Sequence, residues 1–126
     1  FIFNGDFVDR GSHQVELVGL LFALKLWAPE RVWLLRGNHE DREMNKRYGF
    51  KQACENSLGT FGSTFFERAH QAFDELPLAC LLEDKVLVVH GGIGDGSWTL
   101  NQLQCIRRPL RDVLAEQQRW LAEILW

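Results

Sequence analysis

The sequence offers little for disulfide, membrane or nucleic-acid function. Its three cysteines, Cys54, Cys80 and Cys105, are odd in number and widely spaced, so they make neither a CxxC pair nor a disulfide framework. They read as reduced, buried or half-buried thiols of a cytoplasmic or nuclear protein. No apolar run is long enough to span a bilayer and no signal peptide is present, so no membrane role is expected. No basic run or stripe accompanies the formal net charge of -3, which leaves no electrostatic case for nucleic acid. Repeats, linkers and low-complexity stretches are also absent. What remains, 46% hydrophobic and 25% charged over 126 residues, is ordinary globular composition for one domain or part of one. Both ends are apolar, Phe1-Ile2-Phe3 and Ile124-Leu125-Trp126, and read as cuts inside a folded core rather than as polar termini.

Periodicity predicts a strand at Phe1 to Phe3 and a mostly buried helix from Gln14 to Trp27, with Val15, Val18, Leu21, Phe22 and Lys25 on one face. It predicts a second strand from Val32 to Leu35, then short helix and loop from Glu40 to Lys51. A further amphipathic helix covers Thr64 to Leu76, with Phe65, Phe66, Ala69, Ala72 and Phe73 inward. A hairpin covers Leu78 to Leu82 and Val86 to Val89. From Leu100 to Trp126 the period is helical, broken at Pro109. Strands alternating with helices predict an α/β layered sandwich, its β-sheet mixed by the hairpin and flanked by helices.

Three strands each run into a glycine turn that carries a polar side chain. Gly5-Asp6-Phe7-Val8-Asp9-Arg10-Gly11 places two carboxylates and a guanidinium at a strand end. Asp6 is placed to ligate a metal, and the planar fork of Arg10 suits phosphate. Alone, such a string is more often a charged surface turn. Gly37-Asn38-His39-Glu40 supplies a neutral oxygen and an imidazole able to ligate or to move a proton, though Asn beside Gly is also plain turn chemistry. His90, between Val89 and Gly91-Gly92, has room for a metal beside it. A lone histidine there is more often a core residue. The shared pattern changes those odds, because mixed oxygen and imidazole sets suit divalent metals and a nearby arginine suits phosphoryl chemistry.

GDFVDRG, LLRGNHE and VVHGG, in this order, resemble three signatures of the PPP family of serine/threonine protein phosphatases, within the calcineurin-like metallophosphoesterases. The likeness extends to Met44-Asn45, Arg47-Tyr48-Gly49-Phe50, Phe73 with Leu76-Pro77-Leu78-Ala79, Ile106, Arg108-Pro109 and the terminal Leu125-Trp126. It implies the metallo-dependent phosphatase fold, with residues 1–126 a partial catalytic domain. The family's first metal-binding motif and its C-terminal histidines and second arginine would then lie outside the chain, leaving it weakly active or inactive alone. It implies two metal ions (Mn, Fe or Zn) that activate water for hydrolysis of phosphoserine and phosphothreonine, with no cysteine nucleophile. Asp6 matches the bridging ligand, and Asn38 and His90 match ligands of one metal. Arg10 and Asn38 match phosphate-binding groups. His39 matches the general acid and Asp9 the carboxylate that orients it. Phosphoproteins are the expected substrates, and regulatory subunits or domains the expected partners.

Other readings are a diadenosine-tetraphosphate hydrolase, a non-catalytic phosphatase-like binding protein, and a nucleotide-binding module at Gly92-Ile93-Gly94-Asp95-Gly96. The last lacks the G-x-G-x-x-G spacing. The Gly94-Asp95-Gly96-Ser97 loop departs from the family's common Ser-Pro turn. His13 reads as solvated, and His70 has no evident role.

Overall fold

A computed structural model describes residues 1–111, 113 and 119–126. The order is β1 (Ile2–Asn4), α1 (Gln14–Trp27), β2 (Trp33–Leu35), α2 (Arg42–Tyr48), α3 (Phe50–Leu58), α4 (Gly62–Phe73), β3 (Ala79–Leu82), β4 (Val86–Val89), α5 (Leu100–Gln104) and α6 (Arg119–Leu125). The α/β alternation expected from periodicity is present. Parallel and antiparallel pairing both occur, but in two ladders rather than one mixed sheet. β1 pairs parallel with β2, and β3 pairs antiparallel with β4. Side chains link the two ladders: Asn4 Nδ2 donates to Val89 O at 2.9 Å. The expected helical run after Pro109 appears as α6 alone among the described residues, since 112 and 114–118 lie outside them.

Two apolar clusters form. The first joins Phe7, Val8, Val18, Leu21, Leu34, Phe50, Cys54, Phe66 and Phe73, which are the inward faces of α1, α3 and α4 laid on the β1–β2 pair. The second gathers Leu78, Leu110, Leu121, Ile124 and Leu125 beneath the end of β4. Arg36, just after β2, lies between them. Its guanidinium donates to Glu40 O and Leu110 O and sits 3.6 Å from Asp74 Oδ1. With its hydrogen bonds made inside the protein, this charge can be buried.

α1 differs from the mostly buried helix that its composition suggests. Val18 and Leu21 are buried, yet Leu26 and Trp27 are 83% exposed. The sequence is apolar around the whole circumference, while only one face meets α3 and β2. Cys105 is likewise exposed rather than half-buried.

His70 is the residue that the sequence left without a place. It is fully buried in α4, edge-on to Phe66 and Phe73. Neither ring nitrogen finds a hydrogen-bond partner among the described residues. Burial, and then the charges of Arg42, Arg36 and Lys46, push its pKa down to about 3. The folded value lies below that of the unfolded chain, so unfolded protein takes up the proton first. The associated stability is therefore whole above about pH 6.5 and is lost as pH falls toward 3, by at most about 1.4 kcal/mol per pH unit. Urea unfolding at pH 7, 6 and 5 is expected to show this decline in the wild type, and a shallower one in His70→Leu.

Candidate metal and phosphate site

The turn after β1 and the turn after β2 meet backbone to backbone. A Cβ on Gly5 would lie 2.5 Å from Gly37 Cα, and one on Gly37 would lie 2.6 Å from Asp6 Oδ1. Only glycine leaves room for this approach. Between them sits Glu40, 0% exposed. Its Oε2 accepts from Asp6 N and Gly37 N, both at 2.8 Å, and its Oε1 accepts from Phe7 N at 2.7 Å. One carboxylate thus fastens both turns. Burial pushes its pKa up, and the three amide donors pull it back only in part. The GNHE string displays Glu40, but its role depends on three amides that only folding assembles. Glu40→Gln replaces an acceptor oxygen with a donor facing backbone N–H. It is expected to cost about 1–3 kcal/mol in urea unfolding and to loosen Asp6.

Asp6 and Asp9 both adopt the left-handed region, at φ 58° and 70°. Aspartate tolerates this conformation better than most residues, and it turns the two carboxylates in different directions. Asp6 is exposed on the turn, and its Oδ1 accepts from His39 N at 3.1 Å. His90 Nε2 lies 3.3 Å from Asp6 Oδ1 and 3.2 Å from Asn38 Oδ1. The structure therefore brings Asp6, Asn38 and His90 together.

The His90 tautomer follows from its other nitrogen. Nδ1 faces the Asn4 carbonyl, which only accepts, so Nδ1 carries the hydrogen. In the neutral ring Nε2 then turns a lone pair toward two oxygens, Asp6 Oδ1 and Asn38 Oδ1. Three lone pairs converging in this way repel unless a positive charge, a proton on Nε2 or a metal ion, lies among them. At metal–ligand distances of about 2.0–2.2 Å, adjacent ligands on one ion stand roughly 3.0–3.5 Å apart, and these spacings fall inside that range. A backbone carbonyl holding the far ring nitrogen is also the usual support for an imidazole ligand. The donor set therefore fits a metal. Among the described residues no three His, Cys, Asp or Glu side chains converge, because the third donor here is an amide.

Asp9 and His39 form a second unit, both buried. His39 Nδ1 is 2.8 Å from Asp9 Oδ2. The same oxygen accepts from Asn45 Nδ2 at 2.6 Å, and Asp9 Oδ1 accepts from Phe50 N at 3.0 Å. Tyr48 meets the His39 ring edge-on, with centroids 5.4 Å apart. With Nδ1–H given to Asp9, Nε2 is the nitrogen left to exchange a proton with a ligand. Arg10 is exposed and makes no ion pair or hydrogen bond with another described residue, so its fork is open to an anion.

His13 is exposed at the start of α1, 3.9 Å from Glu16, as its sequence position suggested. The Gly94–Ser97 loop closes locally through Ser97 N donating to Asp95 Oδ1 at 2.9 Å. No helix opens at Gly92, where a dinucleotide site would need one. Cys105 and Arg111 stand at Cys-x5-Arg spacing, but Cys105 is exposed at the end of the five-residue α5, without the strand-to-helix loop that would cradle phosphate. No helix among the described residues is long and apolar enough to cross a membrane.

Residues 1–125 match the calcineurin-like phosphoesterase family model. The chain is 38% identical over its whole length to the PP2A-like serine/threonine-protein phosphatase PPG1 of Saccharomyces cerevisiae, covering 33% of that protein. It is 42% identical over its whole length to serine/threonine-protein phosphatase T of Schizosaccharomyces pombe, covering 26% of it. Over 75% of the chain it is 45% identical to the human serine/threonine-protein phosphatase with EF-hands 2, covering 13% of it. Among solved structures, a Saccharomyces cerevisiae protein serine/threonine phosphatase with similarity to human phosphatase PP5 superposes with a TM-score of 0.85 at 40% identity. That match covers 99% of this chain and 38% of the other. The chain thus spans about a third or less of each curated relative.

Proposed function

The chain belongs to the calcineurin-like phosphoesterase family, a metal-dependent family, and we propose that it forms part of the catalytic domain of a serine/threonine protein phosphatase. Its substrates would be phosphoserine and phosphothreonine in proteins, as the names of its relatives suggest. The observation that carries this reading is the convergence of Asp6 Oδ1, Asn38 Oδ1 and His90 Nε2, with the buried Asp9–His39 pair on the turns that carry Asp6 and Asn38.

Asp6, Asn38 and His90 would hold one ion, and Asp6 would share a second with ligands from elsewhere in the domain. Manganese, iron or zinc all suit this donor set. When bound, the metals would bring the pKa of water down toward about 7 and neutralise phosphate oxygens. Arg10 would take two phosphate oxygens with its fork. The Asn38 amide hydrogen, on the side away from His90, would donate to another. Water attacks phosphorus opposite the leaving serine or threonine oxygen. His39, holding a second proton on Nε2, gives that proton to the departing oxygen. Asp9 keeps the ring in place through Nδ1, 2.8 Å away, so that Nε2 faces the departing oxygen.

The test is phosphate release by the full chain as its gene encodes it, supplied with Mn²⁺, from a phosphoserine peptide and from diadenosine tetraphosphate. Hydrolysis of the peptide, abolished by a chelator and restored by metal, is the expected result. Hydrolysis confined to the dinucleotide would move the chain to another branch of the family, and none of either would make it a binding protein.

A further inference from the structure

Asn45 makes no contact with a reacting group, yet it is 0% exposed and donates two short hydrogen bonds into the acid pair. Its Nδ2 lies 2.6 Å from Asp9 Oδ2 and 2.6 Å from the backbone oxygen of His39. Both neighbours are acceptors only, so the orientation of this amide is fixed: the nitrogen must face them. The Asn45 oxygen has no partner among the described residues. Both hydrogens of its amide thus serve the pair.

Asn45 also occupies a fixed point. It lies in α2, whose start is capped by Asp41, accepting from Glu43 N and Met44 N. Gly49, at φ 114°, stops the helix and returns its N–H to Asn45 O at 3.2 Å. The next residue, Phe50, supplies the other donor to Asp9. Asp9 therefore receives hydrogen bonds from His39, Asn45 and Phe50, and His39 is held at both its ring and its carbonyl. We propose that Asn45 is a positioning residue for proton donation: it clamps Asp9 and His39 to each other, so that the ring presents Nε2 to the leaving oxygen in one orientation. This rests on the phosphatase reading for its catalytic consequence, but not for its geometry.

The first test needs no phosphatase activity. In the wild-type chain at one pH, NMR is expected to show both Asn45 side-chain amide protons and the His39 Nδ1 proton protected from solvent exchange, the latter far downfield. In Asn45→Ala and in Asn45→Ser, which keeps a small polar group if Ala does not fold, the His39 Nδ1 proton is expected to broaden or vanish while the backbone amide spectrum stays dispersed. Asn45 amide protons exchanging at the solvent rate in the wild type, or an unchanged His39 Nδ1 resonance in a folded variant, would overturn the proposal.

The second test uses the full chain as its gene encodes it, loaded with metal. Both variants are expected to lose about tenfold or more in kcat on a phosphoserine peptide, part of the roughly 10²–10⁴ that a placed acid supplies. Loss should be under about threefold on an aryl phosphate whose acidic phenol leaves without help. Equal losses on both substrates would show a merely structural residue. A changed His39 resonance with no hydrolysis of either substrate, even by the wild type, would sink the phosphatase reading and leave the clamp standing.

Discussion

Replacing His39 by asparagine is expected to lower kcat on a phosphoserine peptide by about 10²–10⁴-fold and to change KM little. A serine alkoxide is a poor leaving group, so the bond to phosphorus breaks slowly unless the oxygen is protonated as it departs. His39 is the imidazole so equipped, with Nδ1 committed to Asp9 at 2.8 Å and Nε2 uncommitted. On an aryl phosphate with an acidic phenol the same variant should retain most of its kcat. Steady-state kinetics on the two substrates, in the full chain as its gene encodes it, give the ratio. Equal losses would mean that His39 serves binding or folding instead, because a proton donor matters in proportion to the basicity of what leaves.

The second large effect is expected at Asp6. Asp6→Asn keeps the side-chain shape and tolerates the left-handed backbone at φ 58°, so the turn should survive. What goes is the negative charge of the set formed with Asn38 and His90. Removing groups that merely support metal ligands costs about 10–100-fold in affinity, and a ligand that carries charge should cost more. Calorimetric titration of Mn²⁺ into the variant is expected to show affinity more than about 100-fold below wild type, with hydrolysis falling in parallel. Near-normal Mn²⁺ binding would place the ion elsewhere. The substitution Asp95→Asn, which removes the same charge from the exposed loop after β4, serves as the control and should leave both quantities unchanged.

These two residues were legible as candidates because glycine, carboxylate and imidazole sit together in short strings at strand ends. Each string is ambiguous alone, and their order along the chain made the reading specific. Glu40 and Asn45 were visible but mute. Glu40 works toward the amides of Asp6, Phe7 and Gly37, and Asn45 splits its work between the Asp9 carboxylate and the carbonyl of His39, so backbone atoms take most of it. Every residue has such atoms, so composition and spacing say nothing about which will be met. His70 was unplaced for a related reason: a histidine one position from the apolar stripe of α4 reads equally as rim or core, and only the packing of Phe66 and Phe73 around it decides.

Local chemistry is what the sequence by itself determined. The helix from Gln14 to Trp27, the hairpin and the three glycine turns follow from interactions among residues near in the chain, where periodicity and turn preference act. The exposure of Leu26 and Trp27, the split into two ladders and the burial of Arg36 were decided by tertiary structure, because each depends on which distant surface arrives. The site itself divides in the same way. Asp6, Asn38 and His90 were named from their strings, but what lets them fit a metal is His90 Nδ1 spent on the Asn4 carbonyl, 86 residues away, which turns Nε2 toward two oxygens. That is a property of three turns meeting, and no one of them contains it.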